Sequence, residues 1–215
     1  MRISAPLRCR SSFIRIMKKI GCLIAAAGRS SRMGALKPLL LLGEETLLRR
    51  GILTMKNAGA DPVVVVTGRD AELVEAHVSD LGVLTVRNEA YGTTQMLDSV
   101  KLGLLLLAGR CEKVLFSPAD APLYSPETVE KLISSGESIC MPGHQGKTGH
   151  PVCFDAGLIE GILAYKGEGG LAGALSFLGE KKVIECPDPG AYMDADTPED
   201  YQIMLDYYRT AVKGS

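Results

Sequence analysis

The sequence has no long apolar segment and no closely paired cysteines. The leucine-rich stretch near residue 40 is interrupted by Lys37 and Pro38, so it is too short to span a membrane. None of the six cysteines forms a CxxC pair, and most lie in or beside apolar runs, which favours reduced, packed thiols over disulfides or a zinc site. These absences exclude a membrane-spanning protein and a disulfide scaffold. We expect a cytoplasmic protein without a membrane partner.

An excess of basic charge is also absent from most of the chain. The 215 residues have a formal net charge of −1, yet the first nineteen carry six basic side chains and no acidic one. The remainder therefore has a net charge of about −7. An acidic body gives no electrostatic support for binding DNA or RNA, so we expect no nucleic-acid partner. A small anionic substrate would need a local basic patch.

The first sixteen residues differ in composition from the rest of the chain. They are basic and rich in serine and arginine, but they lack the apolar core of a secretory signal. We expect translation to start at Met17, with residues 1–16 an upstream in-frame extension; a targeting leader is the alternative. In either case we predict that residues 1–16 are disordered. Residues 17–215 are long enough for one sizeable core and are predicted to form a single domain.

Apolar runs of strand length alternate with segments of helical periodicity. The run at residues 63–66 is wholly β-branched, which is typical of a strand buried on both faces. Predicted strands lie at residues 20–27, 63–66, 83–86, 113–116, 138–141, 151–154, 182–186 and 192–193. Predicted helices lie at residues 46–57, 71–81, 96–107, 126–133, 158–163, 171–178 and 198–212, with Asp70 and Ser125 as caps. This alternation predicts an α/β fold with a doubly wound, mostly parallel sheet that binds ligands at the carboxyl ends of its strands.

A glycine-rich segment follows the first predicted strand and continues to Lys37. The small residues Ala26, Ala27 and Gly28 let a ligand approach the backbone, and a turn there points N–H groups at an anion. Arg32 offers a planar fork for phosphate oxygens, and Lys37 offers a mobile point charge. We therefore predict a nucleoside triphosphate site; the alternative is a glycine-rich turn with two solvated bases. Its nucleotide-binding residues would be Ala26, Ala27, Gly28, Arg29, Ser30, Arg32, Gly34 and Lys37.

Two better-known phosphate-binding loops are missing. A Walker A loop needs GxxxxGK followed by serine or threonine, but here five residues separate Gly28 from Gly34, and Lys37 comes three residues later. A dinucleotide fingerprint needs GxGxxG and an acidic residue after the second strand, where this chain has Thr67 and Gly68. The absence of both motifs argues against a P-loop protein and against a dehydrogenase.

Two carboxylates lie at positions suited to a metal site. Asp120 follows the predicted strand 113–116, between Pro118 and Pro122, and would stand in the ligand crevice. Mg²⁺ prefers oxygen ligands and is commonly held by one or two carboxylates together with substrate phosphates. Asp196 directly precedes the last predicted helix, so a plain N-cap is the alternative to a metal ligand.

The segment AAGRSSRMGALKPLL resembles the signature of a known family. It is similar to AAGxSxRMGxxKxLL of the molybdenum-cofactor nucleotidyltransferases, the MobA-like NTP transferases, and in particular to their cytidylyl branch. The resemblance extends from Ile20 to the C-terminal helix. It implies a three-layer αβα, Rossmann-like fold of the nucleotide-diphospho-sugar transferase type, which binds a nucleoside triphosphate across this segment.

The resemblance also implies roles for the charged residues. Asp120 matches the aspartate of a D-x-P motif that binds Mg²⁺. Asp196, within DADTPEDY, would complete the metal site, and Asp194 is a lesser candidate. Arg32, Lys37 and Asp120 would be the catalytic residues.

Other positions match the family through shorter segments. Thr67, Gly68 and Asn88 match nucleotide-contacting positions, with ordinary turn chemistry as the alternative. His150 lies between a glycine and a proline and resembles a segment of the cytidylyl branch, so we expect it to contact the acceptor substrate. Ser99 is a further candidate acceptor contact.

One segment departs from the family pattern. The cytidylyl branch has Tyr-x-x-Gly-Met-x-x-Ser after the third strand, whereas this chain reads YGTTQMLDS, with an extra residue and with Gln95 before Met96. The segment would lie near the acceptor, so the identity of the second substrate stays open.

The residues and the resemblance together predict an Mg²⁺-dependent nucleotidyltransferase. It would move a nucleotidyl group, with CTP favoured over GTP as donor, to a molybdopterin-type acceptor and release pyrophosphate. An acceptor phosphate is already ionised at neutral pH, so catalysis would consist of positioning and charge stabilisation. The alternatives are a related transferase acting on a sugar 1-phosphate or another phosphorylated small molecule, and a non-catalytic nucleotide-binding accessory protein for a molybdenum-enzyme partner.

Overall fold

The computed structural model describes residues 19–28 and 35–212. The predictions for residues 1–16, and those for Arg29, Ser30, Arg32 and Gly34, lie outside the described residues. The strands are β1 (Ile20–Ala26), β2 (Leu41–Leu42), β3 (Glu45–Thr46), β4 (Ala60–Thr67), β5 (Leu84–Arg87), β6 (Lys113–Pro118), β7 (Ile139–His144), β8 (Lys147–Thr148), β9 (Val152–Asp155) and β10 (Lys182–Glu185). The helices are α1 (Leu47–Asn57), α2 (Ala71–Val78), α3 (Met96–Leu107), α4 (Pro126–Ser134), α5 (Ile159–Ala164), α6 (Gly170–Leu178) and α7 (Pro198–Tyr207).

The main sheet is mixed but mostly parallel. Its strand order is β10-β7-β9-β6-β1-β4-β5, with β8 paired to β7. Strands β6, β1, β4 and β5 are parallel to one another, and β10 is parallel to β7, whereas β9 runs antiparallel to both of its neighbours. The short strands β2 and β3 form a separate antiparallel ribbon. The order confirms the predicted α/β class.

Both faces of the central strands are buried, as their apolar runs predict. In β1, Cys22 and Ile24 join the core on one face of the sheet, and Leu23 and Ala25 join the core on the other. Helices α1, α2 and α4 pack into the first core, and α3, α5 and α6 into the second. The sheet is therefore the middle of three layers, which confirms the predicted architecture. Within the described ranges no helix is long and apolar enough to cross a membrane.

Local capping chemistry explains which helix starts follow the prediction. Ser125 caps α4, since its hydroxyl oxygen accepts from the N–H of Thr128 (3.2 Å). Asp70 occupies the predicted N-cap position of α2, but the expected side-chain cap does not form. Asp70 has a left-handed backbone (φ 52°), so its side chain makes no cap bond and instead pairs with Arg69 (3.3 Å).

The predicted strand at residues 192–193 is also wrong. Pro189–Tyr192 form a single 3₁₀ turn, because Pro189 has no N–H for a strand ladder and the Asp188 carboxylate accepts from Gly190 N–H (3.1 Å). Two predicted helices are shorter than expected and continue as turns, a 3₁₀ turn at Ser79–Leu81 after α2 and a π turn at Tyr208–Val212 after α7.

Candidate active site

Three of the predicted site residues meet beyond the carboxyl ends of β1 and β6. The ammonium nitrogen of Lys37 lies 2.7 Å from Asp196 Oδ1 and 3.2 Å from Asp120 Oδ2. These partners are 159 and 83 residues away from Lys37 in sequence. The fold thus assembles a cluster of one cation and two carboxylates, which we call the charged cluster.

Main-chain hydrogen bonds fix the two aspartates beside the end of β1. The N–H of Ala119 donates to Ala25 O (3.0 Å), which anchors the turn that carries Asp120. The N–H of Ala195 donates to Asp120 O (3.0 Å), which joins the segment before α7 to the same turn. Asp120 and Asp196 are therefore linked through the backbone as well as through Lys37.

Asp196 is not the N-cap of α7. Thr197 takes that position: its hydroxyl oxygen accepts from Asp200 N–H (3.1 Å), and the Asp200 carboxylate accepts from Thr197 N–H (2.9 Å). The capping alternative for Asp196 is therefore removed, and its carboxylate is directed at Lys37.

The charged cluster shifts the proton affinities of its members. Partial burial alone would lower the pKa of Lys37, but hydrogen bonds and charges from Asp196 and Asp120 outweigh it and raise the pKa, so the ammonium group keeps its proton at neutral pH. Burial raises the pKa of the Asp194 carboxyl, and the charges of Asp196 and Asp120 raise it further. Asp194 therefore holds a proton more readily than an ordinary aspartate in the metal-free protein.

The two carboxylates of the charged cluster fit a shared divalent cation. Asp120 and Asp196 already contact one positive charge, and Mg²⁺ or Mn²⁺ prefers the same oxygen ligands. In the part of the chain that the structure describes, no three or more histidine, cysteine, aspartate or glutamate side chains converge to hold a metal ion. Two carboxylates suit an ion that takes its other ligands from substrate phosphates and water.

The end of β1 leaves open backbone next to the charged cluster. Ala26 and Ala27 are buried, whereas Gly28 is exposed, and a Cβ at Gly28 would meet no atom of residues 19–28 or 35–212 within 4 Å. Gly68, after β4, lies against Ala27: a Cβ there would be 3.1 Å from Ala27 Cα and 2.9 Å from Tyr91 Cβ. Four predicted nucleotide-binding residues, Ala26, Ala27, Gly28 and Gly68, thus share one edge of the sheet.

The side chains of Thr67 and Asn88 are occupied by protein partners. The buried Thr67 hydroxyl donates to Glu75 Oε1 (2.9 Å), and Asn88 N–H donates to Thr67 O (2.8 Å). The Asn88 amide group donates to Thr94 Oγ1 and to Ser99 Oγ, each at 2.9 Å. Ser99 is buried on the inner face of α3 and lies against Asn88, so the structure does not bring it to the cavity that contains His150.

A cavity of about 300 Å³ opens near the charged cluster, and His150 and Asp194 both line it. Phe116 from β6 and Leu171 and Leu175 from α6 contribute apolar walls. The His150 ring stands edge-on to Phe116, with the ring centres 6.3 Å apart. A mostly apolar cavity with a few polar groups is the usual form of a small-molecule site.

The main chain around His150 is tightly fixed. Its N–H donates to Ala191 O (2.8 Å), and a Cβ at Gly149 would lie 2.0 Å from the same oxygen. The ring atom Nδ1 is buried and has no hydrogen-bond partner among the described residues. Burial lowers the pKa of the imidazole, against the opposing charge of Asp120, so the ring is neutral at pH 7 and offers a ligand one donor and one acceptor nitrogen.

Sequence reasoning names His150 but misses most of its surroundings. Lys181, just before β10, lines the cavity, yet nothing near it in sequence distinguishes it from a surface lysine. Phe116 and Leu171 show only the periodicity of a strand and of a helix. Their convergence depends on strand order, which no local pattern encodes.

Comparison with known proteins gives two sequence matches. A family model described as the MobA-like NTP transferase domain matches residues 22–183. The molybdenum cofactor cytidylyltransferase of Escherichia coli (strain K12) is 29% identical over 189 residues, which cover 86% of this chain and 95% of that protein.

Solved structures show the same architecture. A nucleotidyl transferase from Methanothermobacter thermautotroptrophicus has a TM-score of 0.78 at 25% identity, covering 89% of this chain and 98% of that chain. A manganese complex of a protein from Mycobacterium tuberculosis H37Rv has a TM-score of 0.69 at 21% identity, covering 87% of this chain and 98% of that chain. The fold is thus the nucleotide-diphospho-sugar transferase fold, as expected.

Proposed function

This chain belongs to the MobA-like NTP transferase family, and we propose that it transfers a nucleotidyl group at the charged cluster. The chain is a nucleotidyltransferase. The observation that carries the proposal is the contact of both Asp120 and Asp196 with Lys37, beside the open backbone at Gly28. Groups of both charges next to the segment predicted to bind phosphate suit a triphosphate and a metal ion together.

In the proposed reaction, a phosphate oxygen of the acceptor attacks the α-phosphorus of the triphosphate. A new phosphorus–oxygen bond forms, the bond to the β-phosphate breaks, and pyrophosphate leaves with its electron pair. The attacking phosphate is already ionised, so no protein base is required. Lys37, with the predicted contribution of Arg32, would neutralise negative charge on the departing pyrophosphate.

We propose that Asp120 and Asp196 hold Mg²⁺. The convergence of both carboxylates on one ammonium group supports this assignment, and a structural relative was solved as a manganese complex. When bound, the ion would supply positive charge to the triphosphate oxygens.

We propose that the cavity around His150 binds the acceptor. The relative in Escherichia coli is named a molybdenum cofactor cytidylyltransferase, and this name supports CTP as the donor and a molybdopterin-type acceptor for the present chain. His150 lines this cavity, and Phe116 and Leu171 offer apolar surface to a ring system. Lys181 adds a positive charge that suits an anionic acceptor.

Pyrophosphate release with CTP and with GTP, each with and without molybdenum cofactor, tests this function. We expect release from CTP that requires both the cofactor and a divalent metal. Pyrophosphate release with GTP but not with CTP would contradict the assignment of CTP as the nucleotide donor. Nucleotide binding without release from any donor and acceptor would instead support an accessory protein for a molybdenum enzyme.

The segment that departs from the cytidylyl pattern favours a second candidate acceptor. YGTTQMLDS carries an extra residue, and Ser99 at its end is buried against Asn88 rather than in the cavity. A sugar 1-phosphate or another phosphorylated small molecule is therefore the alternative. Pyrophosphate release with a sugar 1-phosphate but not with molybdenum cofactor would select it.

A further inference from the structure

A third, smaller core links the three segments that carry the charged cluster. This satellite core consists of five buried side chains, Leu42, Leu47, Leu123, Ala195 and Met204. Leu42 and Leu47 come after Lys37, Leu123 comes after Asp120, and Ala195 directly precedes Asp196. Packing in this core therefore bears on the relative position of all three charged groups.

Lys37 begins a single 3₁₀ turn, Lys37–Leu39, that lies outside the main sheet. It continues into the β2–β3 ribbon, which has two residues in each strand and lies outside the main sheet. A ribbon of this length is not stable alone. Leu40 N–H donates to Lys37 O (3.0 Å) and Leu47 N–H donates to Leu40 O (2.9 Å), so the ribbon determines where the backbone of Lys37 lies.

Side chains from α7 and from the π turn after it hold this ribbon. The Tyr201 hydroxyl donates to Leu41 O at 2.5 Å. The Arg50 guanidinium donates to Leu42 O and to the Tyr208 hydroxyl, each at 2.9 Å, and it lies 4.3 Å from the centre of the Tyr208 ring. The ribbon carbonyls are thereby tied to the helix whose first turn follows Asp196.

Two details indicate that this fit is close. Gly43, in the ribbon turn, has φ +75°, and a Cβ there would lie 2.5 Å from a ring carbon of Tyr208. Arg50 Nε is buried without a hydrogen-bond partner among the described residues, an arrangement that costs the free energy of removing the N–H group from water. A residue that only filled space here could be apolar and avoid that cost.

We propose that Tyr201, Arg50 and Tyr208 are positioning residues for nucleotidyl transfer. They lock the ribbon to α7 and so set the distance between Lys37 and Asp196. This inference rests on the proposed function, because it assumes that Lys37 and Asp196 act on the triphosphate and its metal. None of the three positioning residues lines the cavity proposed for the acceptor.

The variants Tyr201→Phe and Tyr208→Phe test the inference, since each removes one hydroxyl and keeps the ring. We expect the KM for the nucleoside triphosphate to rise about three- to tenfold, as for one lost hydrogen bond, while the KM for the acceptor stays unchanged. Hydrogen exchange at the amides of Leu40 and Leu47 should be faster in both variants. Tyr165→Phe is the matched control, because Tyr165 also donates to a main-chain oxygen, that of Glu168 (2.8 Å), away from the ribbon.

The outcomes separate this inference from the proposed function. A wild-type protein that releases no pyrophosphate with any donor and acceptor contradicts the proposed function. An active wild type whose two tyrosine variants keep its triphosphate KM contradicts the positioning role alone, even if exchange at Leu47 becomes faster. An equal rise in the KM values for triphosphate and acceptor would also overturn it, because a general loss of structure has that effect.

Discussion

Lys37 places one positive charge where a divalent cation would contact the same two carboxylates. Lys37→Met removes this competing charge and keeps a long apolar side chain. In the nucleotide-free protein we expect the variant to bind Mn²⁺ about three- to tenfold more tightly, because the Lys37 ammonium group no longer competes with the metal for Asp120 and Asp196. Isothermal titration calorimetry of Mn²⁺ into both proteins measures the change.

The same variant should lose function despite its higher metal affinity. We expect kcat/KM for the triphosphate to fall about a hundredfold, since charge on the departing pyrophosphate is no longer neutralised. Lys56→Met is the matched control, because Lys56 donates to Leu81 O (2.6 Å) at an exposed position. Unchanged Mn²⁺ affinity would rule out competition at the cluster, and unchanged kcat/KM would rule out the role of Lys37.

His150 should make the protein less stable in mildly acidic solution. Burial lowers its pKa in the folded state, so below about pH 6.5 the unfolded chain takes up a proton that the folded chain does not. The free energy of unfolding therefore falls as pH drops through this window towards the folded-state pKa. In urea unfolding at about pH 7.5 and about pH 5.5, His150→Gln should lose less stability than wild type. An equal loss in both proteins would contradict a buried, neutral ring.

At the residue scale, the sequence predicts which charged side chains lie near a strand end, but it does not predict their hydrogen-bond and ion-pair partners. Asp70 and Asp196 both lie at or just before a helix start, yet neither acts as a cap. The left-handed backbone of Asp70 turns its carboxylate away, and Thr197 caps α7 in place of Asp196. Both outcomes depend on torsion angles and on competition between neighbours, which residue type alone does not fix.

At the scale of single elements, the turn before β9 packs tightly against the 3₁₀ turn Pro189–Tyr192, with Gly149 in contact with Ala191. A methyl group at Gly149 would lie 2.0 Å from Ala191 O and would break the hydrogen bond from His150 N–H to that oxygen. We expect Gly149→Ala to lower the free energy of unfolding by about 1–3 kcal/mol and to raise the acceptor KM more than the triphosphate KM. Urea unfolding and steady-state kinetics give the two values.

Gly157→Ala is the matched control for that change. A Cβ at Gly157 would meet no atom within 4 Å, so the same substitution adds a methyl group without a clash. We expect its stability and both KM values to stay close to wild type. If Gly149→Ala behaves like Gly157→Ala, the turn does not position His150.

The elements themselves are largely predictable because their signals are local. The β-branched run in β4 is enough to predict a strand, and Ser125-Pro126 is enough to predict the start of α4. Both elements form where expected. The antiparallel direction of β9 carries no such signal, because it depends on how its neighbours β6 and β7 are arranged. Sequence analysis therefore predicts the class of sheet but not its exact order.

At the scale of the whole molecule, strand order brings together residues that are far apart in sequence. The ends of β1 and β6 are neighbours, Lys37 reaches Asp120 there, and the segment before α7 returns to join them through Ala195. The family resemblance predicts that such a meeting occurs, since it implies the fold. The surroundings of His150 and the satellite core lie outside that prediction, because they depend on packing between α6, α7 and the ribbon.

The most direct measurement is pyrophosphate release by Asp120→Asn, beside wild type and the control Asp61→Asn, with the donor, acceptor and metal that support wild-type turnover. Asp61 is exposed at the amino-terminal end of β4, opposite the charged cluster, so its variant should match wild type. We expect Asp120→Asn to keep the wild-type circular dichroism spectrum and to lose about a hundredfold or more in turnover. Wild-type turnover in a folded Asp120→Asn protein would contradict nucleotidyl transfer at the charged cluster.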